Sequence, residues 1–340
     1  MPTAERPGRD VVLMCRVLTA FGVPDTVVAV ERVGRAWSNR MWSVRTTGGN
    51  FAVKEMLNPW NDPFWREWLD EAISFEHAAV TAGVQAPRLV LTPAGEALVD
   101  VEGRTFRVHE WVTDAVPCPD GPVSPDVARA VARDLATMHA LRAAPAHTGV
   151  FPVPTTTTCD GWTGLVTTLR QVGSPYADAA EFVAPDIAVV RSWFDQRPAT
   201  EGRQVMSHGD VDQKNLLLAG GTPWLVDWDV AAPWVPAEEA LRTALPLADW
   251  SEPAVVRAFL ASYAEAGGEV VEPARELLGV DLIIGIDWLD RCLRIAAGLQ
   301  DADPRRVDQA RAQAPRQLRE IHDQVAIATH LPRWLSDRSP

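Results

Sequence analysis

The chain has 340 residues, 47% hydrophobic and 23% charged, the balance of a folded globular protein with one large or two moderate domains. Its formal net charge of −13 argues against nucleic-acid partners, which need a basic stripe, and suits attraction of cationic small molecules. No stretch approaches the roughly 18 uninterrupted apolar residues of a membrane helix, and the N-terminus lacks a charged-then-apolar signal, so a cytoplasmic protein without a membrane partner is expected.

Strand signals fill the first hundred or so residues. Thr26 to Val33 is a β-branched alternating run that ends at Gly34. Met41 to Arg45 and Phe51 to Met56 flank the turn-rich Thr46-Thr47-Gly48-Gly49-Asn50, the pattern of a hairpin. Residues 63 to 82 predict a helix. Ala97 to Val101 and Thr105 to Val112 predict a second hairpin about Glu102-Gly103. After Val112 the character changes. Pro117, Pro119, Pro122 and Pro125 mark a linker, and Ser124-Pro125 is a cap followed by a first-turn proline. The helix that follows, to about Arg142, sets Val127, Val131, Leu135 and Met138 on one face. Helices are also predicted over residues 185 to 197, 238 to 248, 252 to 266 and 280 to 299. The four cysteines, Cys15, Cys118, Cys159 and Cys292, have no metal-ligand or disulfide spacing, as expected of reduced thiols.

The chemistry concentrates in His208-Gly209-Asp210-Val211-Asp212-Gln213-Lys214-Asn215 and, after an apolar run, Leu225-Val226-Asp227-Trp228-Asp229. An acid, an amide five positions later and a second acid after a hairpin-length gap suit phosphoryl transfer. One carboxylate orients and deprotonates a hydroxyl, while the amide and the second carboxylate hold Mg²⁺ against nucleotide phosphates. Of the 32 basic residues only Lys54 and Lys214 are lysines. Lys214 lies inside this motif, and Lys54 sits in Phe51-Ala52-Val53-Lys54-Glu55, which is similar to the Val-Ala-Ile-Lys strand of kinases.

On these residues the chain resembles the aminoglycoside phosphotransferase family of small-molecule kinases, over roughly residues 27 to 245. His208-Gly209-Asp210 followed by Asn215 is its strongest motif, since that family writes His-Gly-Asp where protein kinases write His-Arg-Asp. The resemblance implies an α+β, bilobal, protein-kinase-like fold. A nucleotide-binding lobe of antiparallel sheet plus one helix would occupy residues 1–112, and a mainly helical catalytic and acceptor-binding lobe residues 113–340. ATP and Mg²⁺ follow as the expected cofactors.

Within that frame Asp210 is the expected catalytic base, and Asn215 and Asp227 are the expected Mg²⁺ ligands. Asp229 reads as a supporting acid and His208 as a scaffold residue. Lys54 is expected on the α- and β-phosphates, paired with an acid of the following helix. Glu76, on the apolar face, is preferred, with Glu71 as the alternative. Gly34 to Asn39, with Ser38 and Asn39, is expected either to cap the phosphates or to form a plain hairpin turn. The His109 carbonyl and Trp111 amide are expected at the adenine edge. Lys214 stands either near the γ-phosphate or as a surface lysine of the loop. His139, in Met138-His139-Ala140-Leu141, is expected to bond the catalytic loop backbone.

Substrate residues are the least determined. Asp212, Glu238, Glu239 and Asp287 are candidates, with Asp249, Glu252 and Asp290 nearby in sequence, for lining a cleft around a polycationic acceptor. Solvated helix faces are the alternative for these acids. The expected function is ATP-dependent phosphorylation of a hydroxyl on a small cationic antibiotic, of aminoglycoside or basic-peptide type. A kinase of a metabolic amino alcohol, sugar or nucleoside is the alternative, and an inactive nucleotide-binding scaffold the third. A monomer or homodimer is expected.

Overall fold

The computed structural model describes residues 7–34, 39–58, 62–198 and 203–336. Its chain divides into two compact units. The first comprises the residues up to Cys118, together with Leu141–Phe151 and Met206–Ala232. The second comprises Pro119–Ala140, Pro152–Val205 and the chain from Pro233 onward.

In the first unit α1 (Pro7–Ala20) precedes β1 (Val27–Val33), β2 (Arg40–Thr46) and β3 (Asn50–Met56). Then come α2 (Trp65–Thr81), β4 (Leu89–Val90), β5 (Val99–Val101), β6 (Arg104–Glu110) and β7 (Val116–Pro117). After excursions through the second unit the chain returns in β8 (Val205–Ser207), β9 (Leu216–Ala219), β10 (Thr222–Leu225) and β11 (Ala232–Trp234). An antiparallel sheet runs in the order β1-β2-β3-β6-β4, with β5 also paired to β6. Thr46 staples the β2–β3 turn: its hydroxyl donates to the Gly49 carbonyl at 2.8 Å and accepts from the Gly49 amide at 3.0 Å.

Alternation gives that sheet two different faces. Trp42, Val44, Val53, Phe106 and Val108 point to one side and meet Leu13, Met14, Val17, Leu18 and Phe21 of α1. That helix is absent from the elements predicted above, and it closes the core on this face. The opposite face carries Lys54, Arg107 and His109 and meets α2, which buries Leu69, Ala72, Ile73, Phe75, Glu76 and Ala79.

Residues 206–232 belong to this first unit because hydrogen bonds stitch them there. β7 pairs with β9, the Cys118 amide donates to the Leu216 carbonyl at 2.9 Å, and the Leu225 amide donates to the Gln85 carbonyl at 2.8 Å. Two lobes contiguous in sequence, as expected at 1–112 and 113–340, give way to interleaved units for this reason.

The second unit is helical: α3 (Pro125–Ala140), α4 (Thr157–Gln171), α5 (Ala177–Phe182), α6 (Ala184–Gln196), α7 (Pro236–Leu247), α8 (Pro253–Glu265), α9 (Gly279–Ala296), α10 (Pro304–Thr329) and α11 (Leu331–Ser336). α3, α6, α7, α8 and α9 match predicted helices. α4, with Gly161, Gly164 and five threonines, has poor intrinsic propensity. It forms because Trp162, Leu165, Val166 and Leu169 share a buried stripe. α10 tolerates Pro315 in its interior and is capped by Asp303, whose carboxylate accepts from the Arg306 amide at 3.1 Å. No helix among the described residues is long and apolar enough to cross a membrane.

Leu18 is 1% exposed in the α1 interface. Leu18→Ala is therefore expected to lower the unfolding free energy by about 3 kcal/mol, a cavity-sized loss, read from the urea midpoint at unchanged slope. A shift below about 1 kcal/mol would mean that α1 is not part of the cooperative core.

Candidate active site

Register on β3 and β6 creates the central electrostatic problem of the first unit. Lys54 lies directly opposite Arg107, and Ala52 opposite His109. Two cations thus stand side by side on a sheet face that α2 covers, where like charges repel and desolvation is costly.

Three carboxylates answer them. Lys54 Nζ donates to both Asp227 and Asp229. Arg107, 1% exposed, donates to Asp229 through one terminal nitrogen and to Glu76 through the other. Glu76, fully buried on α2, also accepts from His109 Nε2 at 2.8 Å. Asn39 completes the hub: its Nδ2 donates to Asp229 at 2.8 Å and its Oδ1 accepts from the Leu57 amide at 2.9 Å.

The titration of these groups follows from the pairing. Burial works against ionisation of Glu76, but Arg107 and His109 overcome it and hold the carboxyl at about 2. Partial desolvation opposes the charge on Asp227, whose side chain is half exposed, and Lys54, then His208 and Arg107, bring it to about 2. Burial pulls Lys54 down, and Asp227 with Asp229 more than restores it. His109 is different. There burial prevails over the pull of Glu76 and the ring's pKa falls, so the neutral ring donates from Nε2.

The loop after β8 supplies a second group. Gly209 has φ of 77°, a left-handed conformation that glycine adopts without strain. His208 is fully buried, with its ring 4.6 Å from that of Trp228. Its Nε2 donates to the Val226 carbonyl at 3.1 Å, while Nδ1 accepts from the Asp210 amide at 3.3 Å. Asp210 is held at both oxygens: Lys214 Nζ donates to one at 3.0 Å and Asn215 Nδ2 to the other at 2.9 Å. Lys214 also reaches Asp212 at 3.4 Å.

The β9–β10 hairpin links the two groups. It turns at Gly220-Gly221, both with positive φ, and pairs Leu216 with Leu225. The ladder continues one step, with the Val226 amide donating to the Asn215 carbonyl at 3.0 Å. Asn215 and Asp227 therefore emerge at the same end of one hairpin. Asp227 occupies the left-handed region at φ 68° and ψ 54°, uncommon for a non-glycine residue, and its side chain is 50% exposed. The turn it opens rests on α2 through Phe75 against Trp228 and a 2.9 Å bond from Trp68 Nε1 to the Ala231 carbonyl.

Several expectations are corrected. Lys54 pairs with Asp227 and Asp229, not with Glu76 or Glu71, because Arg107 is the cation that faces Glu76. Glu71 instead accepts from the Ala146 and His147 amides at 3.1 and 2.8 Å, tying a loop to α2. The Trp111 amide is already engaged as the last rung between β3 and β6, donating to the Asn50 carbonyl at 2.9 Å, so it does not offer itself to an adenine edge. For His109 the expectation concerned the backbone carbonyl, and the side chain itself is turned to Glu76. Ser38 lies outside the described residues. His139 bonds Tyr263 and Glu239, at 2.7 and 2.8 Å, and not the catalytic loop.

The candidate acceptor acids fall in both units. Asp212 is in the loop of the first. Glu238, Glu239 and Asp287 belong to the second. Glu239 is fully enclosed and serves His139, so it presents no surface to an acceptor. Asp287 is half-buried, and burial raises its carboxyl against a hydrogen bond from Thr158. Glu238, 4% exposed in the first turn of α7, is pushed up to about 7 by burial, with Arg197 and Arg203 opposing. Arg107 is the site residue that the sequence did not single out. Its signal was the alternation Thr105-Phe106-Arg107-Val108-His109, which puts three polar side chains on the face away from α1.

Comparison with known proteins gives the family and the fold. The model of the phosphotransferase enzyme family, APH, matches residues 29–278. No curated protein matches the chain significantly in sequence. Among solved structures, a spectinomycin phosphotransferase in complex with ADP and spectinomycin is 12% identical with a TM-score of 0.70, covering 94% of this chain and 98% of its own. The choline kinase LicA from Streptococcus pneumoniae is 14% identical with a TM-score of 0.59, covering 92% and 99%. A microcompartment-associated aminopropanol kinase is 16% identical with a TM-score of 0.56, covering 97% and 99%. The shared architecture is the protein-kinase-like fold of small-molecule kinases.

A carboxyl whose pKa rises on folding favours the protonated native state, and that contribution fades as pH climbs from its unfolded value near 4.5 to about 7. Glu238→Gln is therefore expected to raise the melting temperature at pH 8 relative to the parent and to change it little at pH 5. Equal shifts at both pH values would show that Glu238 titrates normally.

Proposed function

The chain belongs to the phosphotransferase enzyme family, acting on hydroxyl groups of small molecules, and from that premise we propose that it moves the γ-phosphate of ATP to a small cationic antibiotic of aminoglycoside or basic-peptide type. One observation carries the catalytic part: Asp210 is fixed at both carboxylate oxygens, by Lys214 and by Asn215. A carboxylate oriented in this way accepts a hydrogen bond from the acceptor hydroxyl and takes its proton. The acceptor oxygen forms its bond to the γ-phosphorus as the bond to the bridging β,γ-oxygen breaks, and ADP departs. Lys214, 60% exposed at its side chain, stands beside Asp210 and steadies the charge on the transferred group. Lys54 engages the α- and β-phosphates.

Asn215 and Asp227 suit Mg²⁺ by donor chemistry. With Asn215 Nδ2 committed to Asp210, the amide oxygen on the other branch is available as a hard donor, and the Asp227 carboxylate is half exposed. No cluster of three His, Cys, Asp or Glu forms a metal cage among the described residues. Mg²⁺ in kinases does not need one, since phosphates and water complete its shell. When bound, it supplies neutralisation of the phosphate charge.

A kinase of a metabolic amino alcohol is the second reading, and it too has support. The choline and aminopropanol kinases share the fold over as much of the chain as the antibiotic kinase does, at lower TM-scores. Spectinomycin, choline and aminopropanol are all hydroxyl-bearing cations, and the net charge of −13 suits any of them. Acceptor-dependent ADP release from Mg·ATP, screened over basic antibiotics and amino alcohols, separates the two readings. Stimulation by antibiotics alone supports the first, and stimulation by amino alcohols alone replaces it with the second.

With the responding acceptor, Asp210→Asn is expected to lower kcat by about 10³-fold while leaving Mg·ATP affinity nearly unchanged. A drop below about tenfold would remove Asp210 as the base. Lys214→Met is expected to lower kcat at least about tenfold; unchanged turnover would reduce Lys214 to a surface residue.

A further inference from the structure

The pairing of Lys54 differs from what its strand motif leads one to expect, and the difference centres on Arg107. In a kinase, a helix glutamate pairs with the strand lysine. Here the helix glutamate, Glu76, is taken by Arg107, directly across the ladder from Lys54. Arg107 is 1% exposed and enclosed by Glu76, His109 and Asp229, so it has no access to a ligand itself. Its planar fork gives each of two carboxylates its own terminal nitrogen, which the single ammonium of a lysine cannot do. Asp229 accepts Arg107 at one oxygen, and Lys54 and Asn39 at the other. Lys54 is thereby anchored on the Asp227–Asp229 turn instead of on α2.

We propose that Arg107 is a positioning residue for nucleotide binding: by neutralising Glu76 and clamping Asp229, it holds Lys54 on the metal-side acids, ready to exchange Asp227 for the phosphates of ATP. The proposal rests on the kinase reading above but not on the identity of the acceptor. Asp227 is the half-exposed partner of Lys54, whereas Asp229 is nearly enclosed at 11%. A cation arriving with the nucleotide would take the Asp227 carboxylate and release one of the two anchors of Lys54. Asp229, kept in place by Arg107 and Asn39, retains the other. Arg107 thus sets both the position and the remaining charge compensation of the phosphate-binding lysine.

The test is a pair of double-mutant cycles read by calorimetric affinity for Mg·AMP-PNP, which needs no acceptor. Arg107→Met is expected to weaken binding about tenfold, and Arg107→Lys to recover only part of it, because the charge returns without the fork. Adding Glu76→Gln to Arg107→Met is expected to cost little more, and Arg107→Met is expected to lose most of its effect in a Lys54→Met background, because Arg107 acts on the nucleotide through Lys54. Melting temperatures of the same proteins separate folding from binding. Strong coupling of Glu76 to Lys54 with additive behaviour toward Arg107 overturns the proposal. So does an Arg107→Met protein that loses stability yet binds Mg·AMP-PNP as the parent does. Where Arg107→Met does not fold, Arg107→Lys with and without Glu76→Gln gives the same comparison. If the cycles come out as expected while no acceptor is phosphorylated, the acceptor reading fails and the positioning role stands.

Discussion

Two cations opposite one another on adjacent buried strands are the constraint around which the first unit is arranged. Lys54 and Arg107 face the same side of the ladder between β3 and β6. Neither tolerates that environment without carboxylates, since an unpaired buried charge destabilises a domain by several kcal/mol. Glu76 comes from α2, and Asp227 and Asp229 come from a segment more than a hundred residues later in the chain. The electrostatic requirement of the sheet thus recruits the Asp227–Asp229 turn into the same compact unit. That turn carries Asp227, whose side chain stays half exposed, so the pairing that stabilises the unit also places the acid proposed above as a Mg²⁺ ligand.

The loop from His208 to Asn215 is positioned by different forces. Its frame is the β9–β10 hairpin, whose glycine turn and four-residue pairing fix Asn215 and Asp227 at one end. Buried aromatic contact between His208 and Trp228, and the His208 bond to the Val226 carbonyl, tie the loop to the Asp227–Asp229 segment. Asp210 consequently has an orientation set before any ligand arrives, which is the condition for positional catalysis. A short polar loop acquires rigidity from the apolar hairpin beneath it and from the ring behind it.

Much of this was legible where local pattern and chemistry coincide. The β2–β3 hairpin followed from its glycine-containing turn between alternating runs, and α3 from Ser124-Pro125 with a periodic apolar face. The hairpin spacing between Asn215 and Asp227 was readable from residue type and sequence distance, and the paired strands do bring the two residues to one end. Elements that contradict their own propensities were not legible. α4 carries threonine and glycine where helix formers are expected, and α10 has an internal proline. Both form because partners elsewhere in the helical unit cover their apolar stripes. Glu239 shows the same limit at a single residue: beside Glu238 it reads as one of two surface acids, yet it lies inside the fold, bonded to His139.

By itself, the sequence determined the chemistry available: two lysines among many arginines, a His-Gly-Asp loop, and acids and an amide at hairpin spacing. Residue type and short-range spacing are local properties, so the phosphotransferase family and its fold were within reach. Only tertiary structure decided who pairs with whom. Register between β3 and β6 put Arg107 across from Lys54, and the packing of α2 delivered Glu76 to Arg107. Strand register and helix docking are set by the burial of the whole sheet face, which no window of sequence contains.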